Sequence, residues 1–124
     1  MTELDKTIKR KYFMSDYDPN WPIKFESIKK LIQEAFGDKA LSIDHVGSTS
    51  IPGMKAKPII DALVIVENVH DLADETQRMV DLGYECGSNY IAPDTLIFIK
   101  TAPDGSKLEN IHICHRHEPK TKQF

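Results

Sequence analysis

The chain has 124 residues, with 16 Lys plus Arg, 19 Asp plus Glu and a formal charge of −3. That length suits one domain, and 40% hydrophobic content is enough to fill one core. The near-balanced charge sets up no global field for nucleic acid, and no apolar run reaches the ~20 residues that span a bilayer.

The N-terminus, MTELDKTIKRKYFM, is charged and lacks the apolar stretch of a signal peptide. Residues 1–11 are expected to be loose, as are residues 115–124. Tyr12-Phe13-Met14 reads as an edge strand or an apolar anchor. Asp16 to Asn20 is turn chemistry, with Asp18 or Asn20 placed to cap a helix and Pro22 in its first turn.

That helix is expected over about residues 20–36. Trp21, Phe25, Ile28, Leu31, Ile32, Ala35 and Phe36 recur at spacings of three and four and form its apolar stripe. Gly37 ends it. Leu41–Val46 reads as a strand, and Gly47 to Lys57 as a polar connection with a Pro52-Gly53 turn. Pro58–Val66 is apolar on both faces, so it is expected to be central and covered on both sides. By the period of two, Asp61, Leu63 and Ile65 share one of those faces.

A second helix is expected over about residues 69–82. Asn68 caps it, and Val69, Leu72, Ala73, Thr76, Met79, Val80 and Leu82 lie on its buried side. Tyr84–Cys86 reads as a short strand, and Gly87-Ser88-Asn89 as a turn. Thr95–Lys100 and Leu108–Cys114 read as two strands joined by a loop at Ala102–Ser106. Cys86 and Cys114 form no CxxC pair and read as reduced core or near-core thiols in a cytoplasmic protein. The order of elements gives an α/β (α+β) domain with a mixed sheet.

Two features carry possible chemistry. Gly47-Ser48-Thr49-Ser50 could hold an anion, because glycine lets backbone amides approach a phosphate and the hydroxyls add donors. It is not a P-loop, since Met54 rather than a lysine follows Gly53. Asp61 is a carboxylate inside an apolar strand, and burying it is costly without a partner or a cation. His112 shares a face with Asn110 and could reach Asp61 from a neighbouring strand, as a metal ligand or a base. His45 stands just before the Gly-Ser pair, and Lys57 at the end of the connection could attract phosphate. Cys114, His115 and His117 lack the spacing of a zinc site and read as the start of a solvated tail.

A hydroxyl-rich turn followed 13 residues later by an aspartate, Ser48 to Asp61, resembles the nucleotidyltransferase superfamily. That resemblance implies phosphate binding at Gly47, Ser48 and Thr49, and a divalent cation, Mg2+ or Mn2+, at Asp61. The superfamily's second carboxylate would fall at position 63, which is leucine here. Tyr17-Asp18-Pro19-Asn20-Trp21, Asp44 to Gly53, and Ala56-Lys57-Pro58-Ile59-Ile60-Asp61 resemble the GrpB family more narrowly. Leu82-Gly83-Tyr84 and Ile111-His112-Ile113 follow in the same order.

The resemblance covers residues 12 to 114. It implies a single domain with a nucleotidyltransferase-like mixed sheet, and it places His112 with Asp61 in a catalytic or metal role. It also implies a later helical segment with an Arg-Asp-Tyr-Leu-like motif, which does not precede Phe124. The function expected first is transfer of a nucleotidyl group to an acceptor with a divalent cation. The alternative is a non-catalytic module for a nucleotide or a phosphorylated metabolite resembling a coenzyme A precursor, because some family members are fused to dephospho-CoA kinase.

Overall fold

The structure is a computed structural model and describes residues 14–88 and 95–116. Among the described residues, two helices and five strands follow in the order α1 (Asn20–Phe36), β1 (Ala40–Val46), β2 (Ile60–Val66), α2 (Ala73–Asp81), β3 (Glu85–Ser88), β4 (Leu96–Thr101) and β5 (Lys107–His115). Short 3-10 turns occupy Gly37–Lys39 and Ser48–Ser50. The strands form one mixed sheet in the order β1-β2-β5-β4-β3. The β2–β5 pair is parallel and the others are antiparallel.

The first helix forms where its apolar period places it. Trp21, Phe25, Ile28, Ile32, Ala35 and Phe36 are buried, while Leu31 is only partly covered. Asp18 Oδ1 accepts the Asn20 N–H at 2.8 Å, and the Gly37 N–H donates to Gln33 O at the other end. Packed against this stripe are Ile60, Ala62, Val64 and Val66 of β2, Ile111 and Ile113 of β5, and Phe98 of β4. Each large apolar side chain in that layer contributes about 1.5–3 kcal/mol of burial.

Several expectations are corrected. Strand β2 is interior to the sheet but closely covered on one face only. Its residues alternate between fully and partly buried, and Asp61, Leu63 and Ile65 lie on the more open side. The strand is apolar on both faces, yet the second face carries the candidate site. It also starts later than expected, because Pro58 has no N–H and Ile59 N–H turns back to Lys57 O at 2.7 Å.

The second helix is shorter than its apolar pattern suggested. Asn68 Oδ1 accepts the His70 N–H and shapes a turn before the helix rather than capping it. Val69, Leu72 and Met79 are buried, but Ala73, Val80 and Leu82 are exposed, and Glu75 is buried in their place. Gly87 and Ser88 belong to β3, not to a turn; Asn89 lies outside the described residues.

His115 is part of β5, and Arg116 N–H donates to Val66 O, so the ordered chain runs beyond residue 114. Neither cysteine forms a disulfide among the described residues; Cys114 is buried but Cys86 is exposed, not a core thiol. The Tyr12-Phe13 part of the proposed edge strand, residues 1–11 and His117 lie outside the described residues. Met14 is exposed, and the neighbouring Ser15 makes an isolated antiparallel bridge to Ala56. No helix among the described residues is long and apolar enough to cross a membrane.

Candidate functional site

The site lies on the open face of the sheet, at the start of β2. Parallel register sets Asp61 beside Asn110 and Leu63 beside His112. Both polar side chains reach the aspartate. Asn110 Nδ2 donates to Asp61 Oδ1 at 3.1 Å, and His112 Nε2 stands 3.5 Å from the same oxygen. The contact fixes the orientation of the Asn110 amide: turned over, its oxygen would face a carboxylate oxygen. The aspartate side chain remains 27% exposed, so one side of the carboxylate stays open to solvent.

The other carboxylate oxygen meets Gly47. This glycine has φ +77°, and a Cβ built on it would stand 2.8 Å from Asp61 Oδ2. Gly47 is therefore required twice over, by its left-handed backbone and by the carboxylate pressed against it. Sequence reasoning assigned this glycine to phosphate approach; the structure shows the residue it makes room for.

The hydroxyls of the turn divide into two groups. Thr49 is only 2% exposed, and its hydroxyl donates to Ile59 O at 3.2 Å. With that proton committed, Thr49 Oγ1 accepts from His45 Nε2 at 3.0 Å. The Ser50 hydroxyl donates to Gly47 O. Ser48 alone is exposed. With Lys57 and Asp61 it lines a cavity of about 250 Å³, whose walls include Met14, Ala56 and Ile59. Among the described residues the amide N–H groups of Ser48 and Thr49 make no hydrogen bond, which leaves two backbone donors beside Ser48 Oγ.

His45 faces away from this cavity. Its register partner is Ala62, on the helical side of the sheet, and its ring stacks on Phe25 with centroids 4.8 Å apart and planes 8° from parallel. Burial lowers its pKa, and the negative charge of Asp61 opposes that shift without overcoming it. His45 is thus a neutral Nε2–H donor that ties the turn to the strand entry through Thr49 and Ile59. The structure brings together Asp61, His112, Ser48 and Lys57. It puts the His45 side chain behind them as a support, while Thr49, which also borders the cavity, has its hydroxyl committed to Ile59 O and His45.

Asn110 is the member that sequence reasoning did not assign. Its alternation with His112 was legible, but the register that sets it beside Asp61, 49 residues away, was not.

A divalent cation finds one carboxylate here. Asp61 Oδ1 already faces Asn110 and His112, and the Nδ1 atom of His112 is buried. Among the described residues, no three His, Cys, Asp or Glu side chains converge as a ligand set. Magnesium takes near-octahedral oxygen coordination. Among the described residues, the side chains do not fit a resident metal centre.

Comparison with known proteins agrees with this architecture. The GrpB protein family model matches residues 11–124. The glutamate-rich protein GrpB of Alkalihalophilus pseudofirmus is 32% identical over 108 residues, covering 86% of this chain and 62% of that protein. A UPF0157 protein of Halalkalibacterium halodurans is 52% identical over 67 residues, 54% of this chain and 33% of that one. This chain therefore matches about a third to less than two thirds of the length of these relatives.

Among solved structures, GrpB from Enterococcus faecalis aligns with a TM-score of 0.81 at 27% identity, covering 89% of this chain and 66% of that one. Cid1, solved in complex with the UTP analogue UMPNPP, aligns with a TM-score of 0.52 at 13% identity, over 91% of this chain and 35% of Cid1. That second likeness is one of fold alone: the mixed sheet and its helices are shared with Cid1. Matched across nearly its whole length by one family model, the chain belongs to the GrpB family.

Proposed function

We propose that the chain binds a nucleotide or another phosphorylated small molecule in the Asp61 cleft and does not itself transfer a nucleotidyl group. One observation carries this reading: Ser48, Lys57 and Asp61 line a single cavity, and Leu63 stands where a second carboxylate would be needed. Ser48 Oγ, the neighbouring amides and the Lys57 ammonium supply donors and positive charge for phosphate oxygens. Asp61 sits at the edge of that anion site and opposes a bare phosphate. A region of dephospho-CoA kinase from Mycobacterium bovis is 41% identical to 71 residues of this chain, which supports a coenzyme A precursor among the candidate ligands.

The test is calorimetric titration with ATP, UTP and dephospho-CoA, each in chelator and in magnesium. At least one should bind, with affinity at least tenfold lower in Ser48→Ala. In chelator, Asp61→Asn should tighten binding, because a negative charge beside the phosphates has gone. If none of the three ligands binds under either condition, the reading fails.

A second reading, nucleotidyl transfer, is favoured by the position of Asp61 on the open sheet face, 13 residues after Ser48. Release of pyrophosphate or a labelled nucleotidyl product from a ribonucleoside triphosphate, with magnesium or manganese, would replace the binding-only reading with this one.

A further inference from the structure

Alternation along β2 points Asp61 to one side of the sheet and Ile60 to the other. Behind the Asp61 cleft, between α1 and the starts of β2 and β5, lies a second cavity of about 340 Å³. Trp21, Ile28 and Leu31 of α1 line it, with Ile60 and Leu108 from the strands. Leu108 is 42% exposed, so the cavity opens to solvent. Its size falls in the range of small-molecule sites, which are mostly apolar with a few placed polar groups.

The placed group is Glu109. It lines the cavity, and its Oε1 accepts a hydrogen bond from the hydroxyl of the buried Tyr84. Burial, reinforced by the bond to Glu109 and its charge, holds the Tyr84 phenol well above the usual tyrosine range, so it remains a donor. Lys100 Nζ sits 5.1 Å from the centre of the Tyr84 ring, over the phenol rather than in an ion pair with the carboxylate. Lys24 also lines the cavity, from an exposed position on α1. Among the described residues Glu109 makes no ion pair within 4.0 Å.

A carboxylate offers about four acceptor positions, and a single neutral donor fills one of them. No described cation within 4.0 Å fills the others, although Lys24 lines the same cavity and Lys100 is the cross-strand neighbour, and beside apolar walls a desolvated opposite charge interacts more strongly than in water. The walls suit an apolar body, and the carboxylate suits a cationic head.

We propose that this cavity binds a small organic monocation, a primary ammonium or guanidinium carried on an apolar or aromatic body. The head lies against Glu109 and the body against Trp21, Ile28 and Leu108. The site is separate from the Asp61 cleft and does not depend on what that cleft binds.

Three probes of similar shape test it on the full chain: phenylethylammonium, the neutral 2-phenylethanol and the anionic phenylacetate. Two-dimensional amide NMR titration should give saturable shifts at Trp21, Ser27, Leu108 and Glu109 with phenylethylammonium. 2-Phenylethanol should bind at least tenfold more weakly, and phenylacetate more weakly still. Glu109→Gln keeps an acceptor for Tyr84 and should weaken the ammonium probe at least tenfold. The proposal is overturned if the alcohol binds as well as the ammonium, or if phenylacetate binds more tightly and so assigns the cavity to Lys24. Absence of saturable shifts, or unchanged ammonium affinity in Glu109→Gln, overturns it too. The comparison of probes on the unmodified chain decides the matter even if the variant fails to fold.

Discussion

Two carboxylates in this molecule are placed where charge is costly, and their surroundings treat them differently. Glu75 lies on α2 with its side chain 7% exposed. Lys39 Nζ stands 3.3 Å from one of its oxygens and Arg78 Nη1 3.6 Å from the other. The same two cations continue into backbone: Lys39 donates to Asp71 O, and Arg78 donates to Ala35 O near the end of α1. Glu75 is thus the centre of a clasp between the two helices. Asp61 is more open, at 27%, and its nearest described partners are an amide and an imidazole rather than two fixed cations. A buried carboxylate closed off by cations is a structural fastening, whereas a half-open one with spare acceptor capacity is available to a ligand.

The contrast can be broken most sharply at Gly47. Gly47→Ala forces a side chain into a positive-φ, extended-ψ backbone position that is essentially reserved for glycine, at a cost of about 1–3 kcal/mol. It also drives a methyl into the Asp61 carboxylate, and overpacking of this kind costs about 1–3 kcal/mol. Urea denaturation should therefore show a loss of about 2–6 kcal/mol. In an Asp61→Ala background the 2.8 Å contact with Oδ2 is removed and only the 3.3 Å contact with Cβ remains, so the same substitution should cost at least about 1 kcal/mol less. Equal costs in the two backgrounds would separate Gly47 from Asp61. Because the glycine is structural, a phosphate-binding test that alters Gly47 cannot isolate an anion role; Ser48→Ala can.

Next in size is a paired comparison of charge removal. Glu75→Gln discards the charge that both cations address, and hydrogen bonds to charged groups are worth about 1.5–3 kcal/mol. Asp61→Asn keeps an acceptor for Asn110 at a half-open position, so its stability should change by less than about 1 kcal/mol. Ligand binding should follow the opposite order: Asp61→Asn alters phosphate-ligand affinity and Glu75→Gln does not. A larger stability loss at Asp61 than at Glu75 would make Asp61 the fastening and remove the basis for the candidate site.

The two regions also differ in what the sequence discloses. The stripe of α1 predicts that helix closely, because six large apolar residues at helical spacing have one way to be buried. In α2 the same logic misplaces the buried side. Glu75 enters the core because Lys39, 36 residues away, reaches it, and no local pattern announces a partner at that distance.

Around Asp61, the residue types and the period of two placed the aspartate and His112 correctly in relation to each other. The hydroxyls of Thr49 and Ser50 looked equivalent to that of Ser48 as phosphate donors. Their commitments to Ile59 O and Gly47 O depend on the path of the turn, which composition does not give. The openness of the second face of β2 was likewise beyond an apolar pattern, since Leu63 and Ile65 look the same on a covered face and on a partly covered one.

The smallest expected effect links the site to its support through pH. His45 has a pKa below the usual histidine value, because burial against Phe25 disfavours the cation more than the Asp61 charge favours it. As pH falls, the unfolded chain takes up this proton first, near the ordinary value of 6.5, and the folded chain takes it up only at lower pH. Between those points the unfolded state holds more protons, so acid favours unfolding. The contribution of a neutral His45 is complete above the unfolded value, is lost as pH drops through the folded value, and changes no further below it. His45→Gln removes the titration while keeping an amide donor for Thr49. Its stability should fall less steeply than wild type between about pH 7 and about pH 5. Asp61→Asn should act in the other direction: with the nearby negative charge removed, the His45 pKa drops further and the window of acid sensitivity widens. Parallel stability curves for wild type and His45→Gln across that range would show that the imidazole does not titrate differentially. They would also remove the electrostatic coupling between the turn's support and the carboxylate in front of it.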